Sequence, residues 1–496
     1  MELEKLIRRL DKPLVTGTLA RDITSICYDS RQVAPGSLFC AIEGNLVDGH
    51  AFIEQAVERG AAAVVSQKPH RTTRATHIQV QDSRDALARL AATFYDNPST
   101  RLQVVGVTGT NGKTTTTFLI KHLLERAGQR TGLIGTVGYQ IGERVLPAQR
   151  TTPESVDLQQ LFSQALEAGC VSLAMEVSSI ALALNRVDEI RFRVGVFTNL
   201  TQDHLDFHHG MKEYFQAKEK LFAKTSDALS QQGIAVINVD DRYGQQLVAR
   251  YSDRLNVVTY GMSARADFRA SNYRVESTGT SYQLDVKGKS YLVRVPLIGR
   301  FNIYNSLAAL ATVSSLGIDI RSSVLALARA PQTPGRLEAV LAKRQFQVFV
   351  DYAHTDDALL NVIKTCRDLN PARLILVFGC GGDRDRAKRP LMGAVADQYA
   401  DHAIVTSDNP RKEDPEAIIK EVVAGFKGRK FETIVDRREA INRAIGLAGP
   451  RDIVLIAGKG HEKYQEFSDH TVPFDDIEVA LRALEDHPVK LSEYGT

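Results

Sequence analysis

"GVTGTNGKTTT", residues 106–116, follows the apolar run "LQVV" at 102–105 and runs into the helical pattern "TTTTFLIKHLLERAG" at 114–128. Strand, glycine-rich turn and helix in that order form a setting in which backbone N–H groups at a helix start cradle phosphate oxygens. Lys113 can then reach terminal phosphates, and the hydroxyl of Thr114 can hold Mg2+. The spacing departs from GxxxxGK[ST], because Val107 stands six before Lys113 and the glycines are Gly106, Gly109 and Gly112. An incidental lysine on a turn does not account for a buried strand, three glycines and four threonines arriving together.

The chain of 496 residues is too long for one core, and its length suggests about three domains. Residues 1–99 alternate short apolar runs ("SLFCAI", "AAAVVS", "HIQV") with helical patterns and close on the linker "DNPST". Residues 100–333 carry the loop, the strand-like runs "VGVFTNL" and "IAVINVD", and "SYQLDVKGKSYLVRV", whose alternation about Lys287-Gly288 predicts an antiparallel hairpin. "APQTPG" at 330–335 is a second linker. From 334 to 496, "FQVFVDY", "LILVFG", "HAIVTS" and "DIVLIAG" alternate with helical stretches, which predicts a parallel sheet covered on both faces. The fold class is therefore α/β: a small N-terminal α/β domain, a central P-loop ATPase-type domain and a C-terminal Rossmann-like domain.

Composition narrows the function. Hydrophobic residues at 43% and charged residues at 24% describe a soluble globular chain, and a net charge of +3 from 62 basic and 59 acidic residues does not imply nucleic acid. Five scattered cysteines without a CxxC pair argue against a disulfide framework and a zinc knuckle, and fit a reducing cytoplasm. "MELEKLIRRLDKPL" lacks the apolar core of a signal peptide, and no apolar run reaches the roughly 18 residues a membrane span needs. A cytoplasmic monomer without membrane insertion is expected.

Phosphoryl transfer needs cations near the γ-phosphate, so a carboxylate should lie beside the loop. Glu176 closes the apolar run "VSLAMEV", where a parallel strand would deliver it, although a strand-end charge can equally point to water. "QDHLDFHH" at 202–209 packs three histidines and two aspartates together and invites zinc, but no Cys or further His stands at finger-like spacing. His208 and His209 read as loop residues. Lys218 is one of four lysines in a helical stretch, where a charge run is ordinarily solvated.

"TGTNGKTTT" resembles the ATP loop of the Mur ligases and the related folylpolyglutamate synthetases, which join an amine to a carboxylate while cleaving ATP. The resemblance continues through "MEVSS", "TNLTQDHLDFH", "YFQAKEKLF", "FNIYN", "PGRLE", "DYAHT", "GCGGDRDRAKRP", "DNPR" and "GKGHE", nearly the whole chain. It implies the three-domain Mur ligase architecture, with ATP between the middle and last domains. The implied nucleotide contacts are Gly109, Thr110, Asn111, Gly112, Lys113, Thr114, Thr115, Asn302, Asn305, Arg336 and Asp351, with His354 near the same cleft. It implies a first Mg2+ on Thr114 and Glu176, and a second on His204 and a carbamylated Lys218. Lys113, Glu176, His204 and Lys218 are the implied catalytic set.

The substrates follow from the same resemblance. "YDSRQVAPGSLFCAIEGNLVDGHAF" resembles the UDP-binding segment, with Ser30, Arg31, Asp48, Gly49 and His50. Thr151, Thr152, Ser178 and Arg186 map to muramoyl-peptide contacts, while Ile180 and Leu184 depart from the family's histidine and polar residue. Arg384, Asp408, Asn409, Pro410, Arg411, Gly458 and Glu462 map to the amino-acid pocket. Within the family DNPR accompanies diaminopimelate, so the expected substrates are UDP-N-acetylmuramoyl-dipeptide and meso-diaminopimelate. Lysine would set a bare ammonium against Arg411. A lysine-adding ligase, a folylpolyglutamate synthetase-like ligase and a non-catalytic ATP-binding regulator are the alternatives. The N-terminal UDP-like segment and DNPR speak against the second, and joint retention of Glu176, His204 and Lys218 against the third.

Overall fold

The computed structural model describes residues 1–44, 47–70, 74–203, 205–226, 232–340, 344–428 and 430–487. The chain forms two compact units: Met1–Phe268 with Ala308–Ser323, and Arg269–Leu307 with Val324–Thr496.

The first unit contains two sheets. One orders the strands Leu14–Thr16, Thr76–Gln79, Ala63–Ser66, Ser37–Cys40 and Ser25–Cys27, parallel except at the Leu14–Thr16 edge. The second contains six adjacent parallel strands beginning at Asn256, Ile234, Val194, Gln103, Ser172 and Thr131, followed by short antiparallel strands Tyr139–Ile141 and Arg144–Leu146. Gln103–Thr108 lies inside this sheet with a parallel neighbour on each edge, which is why "QVVGVT" is apolar without alternation. Its chain continues through the loop into helix Lys113–Arg126.

In the second unit, Gly279–Val286 and Lys289–Val295 form the expected antiparallel hairpin. Lys287 (φ +49°) and Gly288 (φ +72°) give the two left-handed turn residues that suit a two-residue connection. The six-stranded sheet runs Glu338–Ala339, Gln347–Asp351, Ile453–Ala457, Leu374–Phe378, His402–Val405, Phe431–Thr433, parallel except for the first. Side chains alternate between its faces. Leu374, Leu376 and Phe378 join Leu359, Ile363 and Met392 on one side, while Ile375 and Val377 join Ile441, Val479 and Leu484 on the other. Each such side chain contributes up to about 1.5–3 kcal/mol on burial. Helices on both faces leave the carboxyl ends of the five adjacent parallel strands as the open rim, where α/β sheets hold ligands. Among the described residues no helix is long and apolar enough to cross a membrane.

Candidate active site

The phosphate loop is braced from the next strand. Gly109 has φ +150°, and a Cβ there would lie 1.8 Å from Thr198 Oγ1. Thr198 Oγ1 donates to Asn111 O (2.6 Å), Asn111 N donates to Asn199 Oδ1 (3.0 Å) and Thr110 N donates to Asn199 O (2.9 Å). Gly112 (φ +85°) offers no side-chain acceptor to the first turn of the helix, an arrangement that a bound anion completes. Lys113 Nζ donates to Gly109 O (3.0 Å) and Thr110 O (2.8 Å), so the lysine lies folded over the loop.

Lys218 reaches the same carbonyl from helix Met211–Ser226, its Nζ donating to Gly109 O at 2.7 Å and lying 4.6 Å from the Tyr214 ring centre. It is 1% exposed, unlike the solvated lysine that a charge run ordinarily gives. Burial, reinforced by the charge of Lys113 and opposed by Asp203, pushes its ammonium well below the usual lysine range. Glu176 is also 1% exposed. Parallel pairing sets it opposite Val107, and its carboxylate accepts from Thr136 N (2.8 Å) and Thr136 Oγ1 (3.2 Å). A Cβ on Gly135 would come within 2.4 Å of Glu176 Oε1, so the carboxylate needs a glycine there. The hydroxyl of Thr114 and the carboxylate of Glu176 are hard oxygen donors and fit Mg2+ in chemistry. His204 lies outside the described residues. His208 is a buried helix residue rather than a loop residue: it ends Leu205–His208 and its Nε2 is 2.9 Å from Ser179 Oγ.

A second cluster adjoins Glu176. Thr152 Oγ1 donates to Glu176 O (2.9 Å) and accepts from Ser178 N (3.0 Å), and Thr136 Oγ1 is 3.1 Å from Thr151 Oγ1. Arg186 Nη1 donates to Thr152 O (3.2 Å), and its Nε lies 2.9 Å from Glu154 Oε1. Buried Glu154 also pairs with Arg84 (3.4 Å) and Arg150 (2.5 Å). Three guanidinium groups thus converge on one buried carboxylate. Burial pulls the Arg186 guanidinium below its usual value, with Glu154 opposing. Arg84 also lines an open cavity of about 390 Å³ with Glu43, Gly44, Gln67 and Asp82. In the first sheet's module, Ser30 Oγ donates to Gln55 Oε1 (2.7 Å), Arg31 pairs with Asp29 (2.7 Å), and Asp48 bridges His50 (2.5 Å) and Lys68 (2.6 Å). Ile180 and Leu184 are half-buried around the short helix Ser179–Ala183.

In the second unit, Asn302 and Asn305 are buried: Asn302 Nδ2 donates to Ile298 O (2.9 Å) and Asn305 Nδ2 to Asn302 Oδ1 (2.9 Å). Arg336 lies over the Tyr352 ring at 4.7 Å. Asp351 accepts from Leu337 N (2.6 Å) and Ala353 N (2.8 Å); burial raises its pKa while Arg336 opposes the rise. His354 Nδ1 is 2.8 Å from Tyr352 O.

The rim of the six-stranded sheet gathers the remaining candidates. Asn409 is 2% exposed, and its side chain is fully engaged rather than open: Nδ2 donates to Glu462 Oε2 (2.8 Å), and Oδ1 accepts from Lys459 Nζ (2.8 Å) and Glu466 N (3.1 Å). Burial raises the Glu462 carboxyl, with Lys459 opposing. Asp408 is buried with Oδ2 lacking a hydrogen-bond partner among the described residues. A Cβ on Gly458 (φ +118°) would lie 2.5 Å from that oxygen. Pro410 O lies 1.9 Å from where a Cβ on Gly382 would be. Arg384 is exposed and donates to Asp383 O (3.1 Å). Arg411 has φ +50°, and its Nη1 donates to Gly382 O (2.8 Å) while its Nε donates to Glu466 Oε2 (2.8 Å).

Sequence reasoning passed over Thr198, Asn199, Glu154, Arg84, Arg150, Lys459 and Glu466. Of these, Lys459 stood inside the quoted "GKGHE", and Thr198 and Asn199 inside "TNLTQDHLDFH"; Arg150–Glu154 and Lys459–Glu462 are local pairs, while Arg84–Glu154 and Arg411–Glu466 meet across 70 and 55 residues that no local pattern joins.

Three family profiles match the chain: "Mur ligase middle domain" over residues 107–313, "Mur ligase, glutamate ligase domain" over 335–460 and "Mur ligase family, catalytic domain" over 22–95. The UDP-N-acetylmuramoyl-L-alanyl-D-glutamate--2,6-diaminopimelate ligase of Syntrophomonas wolfei is 47% identical over 488 residues, 98% of this chain and 99% of that protein. A solved structure of a ligase of the same name has a TM-score of 0.69 at 32% identity, covering 98% of this chain and 99% of that one. The structure of the MurF ligase of Thermotoga maritima in complex with ADP shares the fold, with a TM-score of 0.62 at 20% identity over 94% of this chain and 97% of that one.

Proposed function

The chain belongs to the Mur ligase family, and from that premise we infer that it is an ATP-dependent ligase. It adds meso-diaminopimelate to UDP-N-acetylmuramoyl-L-alanyl-D-glutamate in the building of peptidoglycan precursors. The observation that carries this reading is the rim loop of residues 408–411 facing the loop of Gly458 and Glu462. That rim offers guanidinium groups for a carboxylate and a carboxylate for an ammonium, as a substrate with a second amino-acid end requires.

The reaction proceeds in two steps. A carboxylate of the UDP-dipeptide attacks the γ-phosphorus of ATP, releasing ADP and leaving an acyl phosphate. The amine nitrogen of diaminopimelate then attacks the acyl carbon, expelling phosphate and losing a proton to give the amide. Lys113 and the N–H groups at the start of helix Lys113–Arg126 orient and neutralise the phosphates, so the chain contributes mainly positioning and electrostatics. Thr114 and Glu176 would hold one Mg2+, and His204 with a carbamylated Lys218 a second; the ions would supply charge neutralisation at the transferring phosphoryl group. Asn302, Asn305, Arg336 and Asp351 take the remaining nucleotide contacts, and Ser30, Thr151, Thr152, Ser178 and Arg186 the UDP-dipeptide. We place the three modules at residues 1–99, 100–333 and 334–496. Five free, buried cysteines fit a cytoplasmic location.

The deciding experiment is an amine competition between diaminopimelate and lysine, with ATP and the UDP-dipeptide present. Diaminopimelate should be incorporated in large excess, and phosphate should be released only when dipeptide and amine are both supplied. Preference for lysine would overturn the specificity while leaving the ligase. Arg411→Ala should raise KM for diaminopimelate about 100-fold, the scale of losing hydrogen bonding between charged groups, and leave KM for ATP within twofold.

A further inference from the structure

Arg411 is held from two sides. Its Nη1 donates to Gly382 O, and the same nitrogen is 3.0 Å from where a Cβ on Gly381 would be. Its Nε donates to Glu466 Oε2 at 2.8 Å, from the strand Tyr464–Glu466 of a short antiparallel hairpin with Thr471–Pro473. Both Nη2 hydrogens make no hydrogen bond among the described residues. The Arg411 side chain is 18% exposed and that of Glu466 is 41% exposed, so the pair sits at the mouth of the rim rather than in the core.

The hairpin strand grips the whole loop. Gln465 Nε2 donates to Ser407 Oγ (2.8 Å) and Asp408 O (2.8 Å), Glu466 N donates to Asn409 Oδ1 (3.1 Å), and Arg411 N donates to Glu466 O (3.0 Å). These bonds do not involve the Glu466 carboxylate. The loop's path, including the left-handed Arg411 backbone, is therefore set without it, and the carboxylate acts on the guanidinium alone. A planar guanidinium fixed through Nε and one Nη presents its last edge in a single orientation, whereas one tied only to Gly382 O can swing.

We propose that Glu466 is a positioning residue of the amine pocket: its carboxylate fixes Arg411 through Nε so that Nη2 is directed at the distal carboxylate of the incoming amino acid. This rests on the pocket reading above. It also makes Glu466 a specificity determinant, because a mobile Arg411 would lose the carboxylate of diaminopimelate and relax its opposition to a bare ammonium.

The test uses the full-length enzyme carrying Glu466→Ala, Glu466→Gln and Arg411→Ala, with KM measured separately for diaminopimelate, ATP and the UDP-dipeptide, and with lysine as competitor. Glu466→Ala should raise KM for diaminopimelate about tenfold, with kcat and the other two KM values within about twofold, and should lower the preference over lysine by a similar factor. Glu466→Gln keeps an acceptor for Nε and should recover most of both losses. A purely structural role would move all three KM values together and would not separate Gln from Ala. An unchanged or lowered KM for diaminopimelate in Glu466→Ala, alongside a large rise in Arg411→Ala, would overturn the proposal. No effect of Arg411→Ala would instead bring down the pocket reading itself.

Discussion

Lys218→Ala is expected to lower kcat by roughly a thousandfold, on the scale seen when a group that stabilises transferring charge is removed, with the fold intact. A side chain 1% exposed, beside the ammonium of Lys113 and sharing its acceptor at Gly109 O, is poorly served by a second positive charge. The surroundings favour the neutral amine, which is the nucleophile that adds to CO2. Its lone pair bonds to the carbon, a nitrogen proton leaves, and the amine becomes an N-carboxylate that Lys113 attracts, where it would repel an ammonium. Lys218→Arg keeps the charge but cannot form the carbamate, so it should be as inactive as alanine. Lys218→Met, similar in volume, should keep the melting temperature of the parent while losing turnover. Enzyme stripped of CO2 should lose activity and regain it with bicarbonate, and labelled bicarbonate should give a carbamate carbon resonance absent from Lys218→Met. Turnover by Lys218→Ala within tenfold of the parent, with CO2 present, would falsify the assignment.

That burial was partly legible. Tyr214, Ala217, Lys218, Leu221 and Phe222 fall at i, i+3, i+4, i+7 and i+8, the stripe a helix turns to the core, and all five are buried. A lysine within an apolar stripe is a different object from the lysines at 212 and 220, which fall outside it and are exposed. The strand-to-helix reading of residues 102–128 and the four parallel strands of the last module were legible for the same reason: continuous apolar runs bounded by turn residues. The strands Glu338–Ala339 and Phe431–Thr433 were not, because two or three residues carry no measurable periodicity. Nor was the cage of arginines about Glu154. Arg150 stands four residues before Glu154, a spacing visible in the sequence, but Arg84 lies 70 residues away and nothing local joins it to that carboxylate. The same holds for Arg411 and Glu466, 55 residues apart, whose meeting depends on a hairpin of three-residue strands.

Breaking the Arg437–Asp476 pair should cost about 3–5 kcal/mol, a fall in melting temperature of about 6–20 °C for a unit of this size. Both side chains are 0% exposed. Nε donates to Asp476 Oδ1 (2.8 Å) and Nη2 to Asp476 Oδ2 (2.7 Å), a two-pronged fork. Either single change, Arg437→Leu or Asp476→Leu, leaves one charge in the interior without its counter-ion. Removing both together should be less harmful than either alone, since two apolar side chains replace two solvation losses. Yet the arginine has a further task that the double change cannot restore. Its Nη2 also donates to Ala457 O (3.1 Å) and its Nη1 to Ser407 O (3.5 Å), tying together the carboxyl ends of Ile453–Ala457 and His402–Val405. Those ends lead into the loops of Gly458 with Glu462 and of Asp408 with Arg411. The double variant should therefore regain most of its melting temperature and still show KM for diaminopimelate raised several-fold, with KM for the UDP-dipeptide unchanged. Recovery of both quantities together would mean that the ion pair serves the core alone, and that the rim keeps its shape without Arg437.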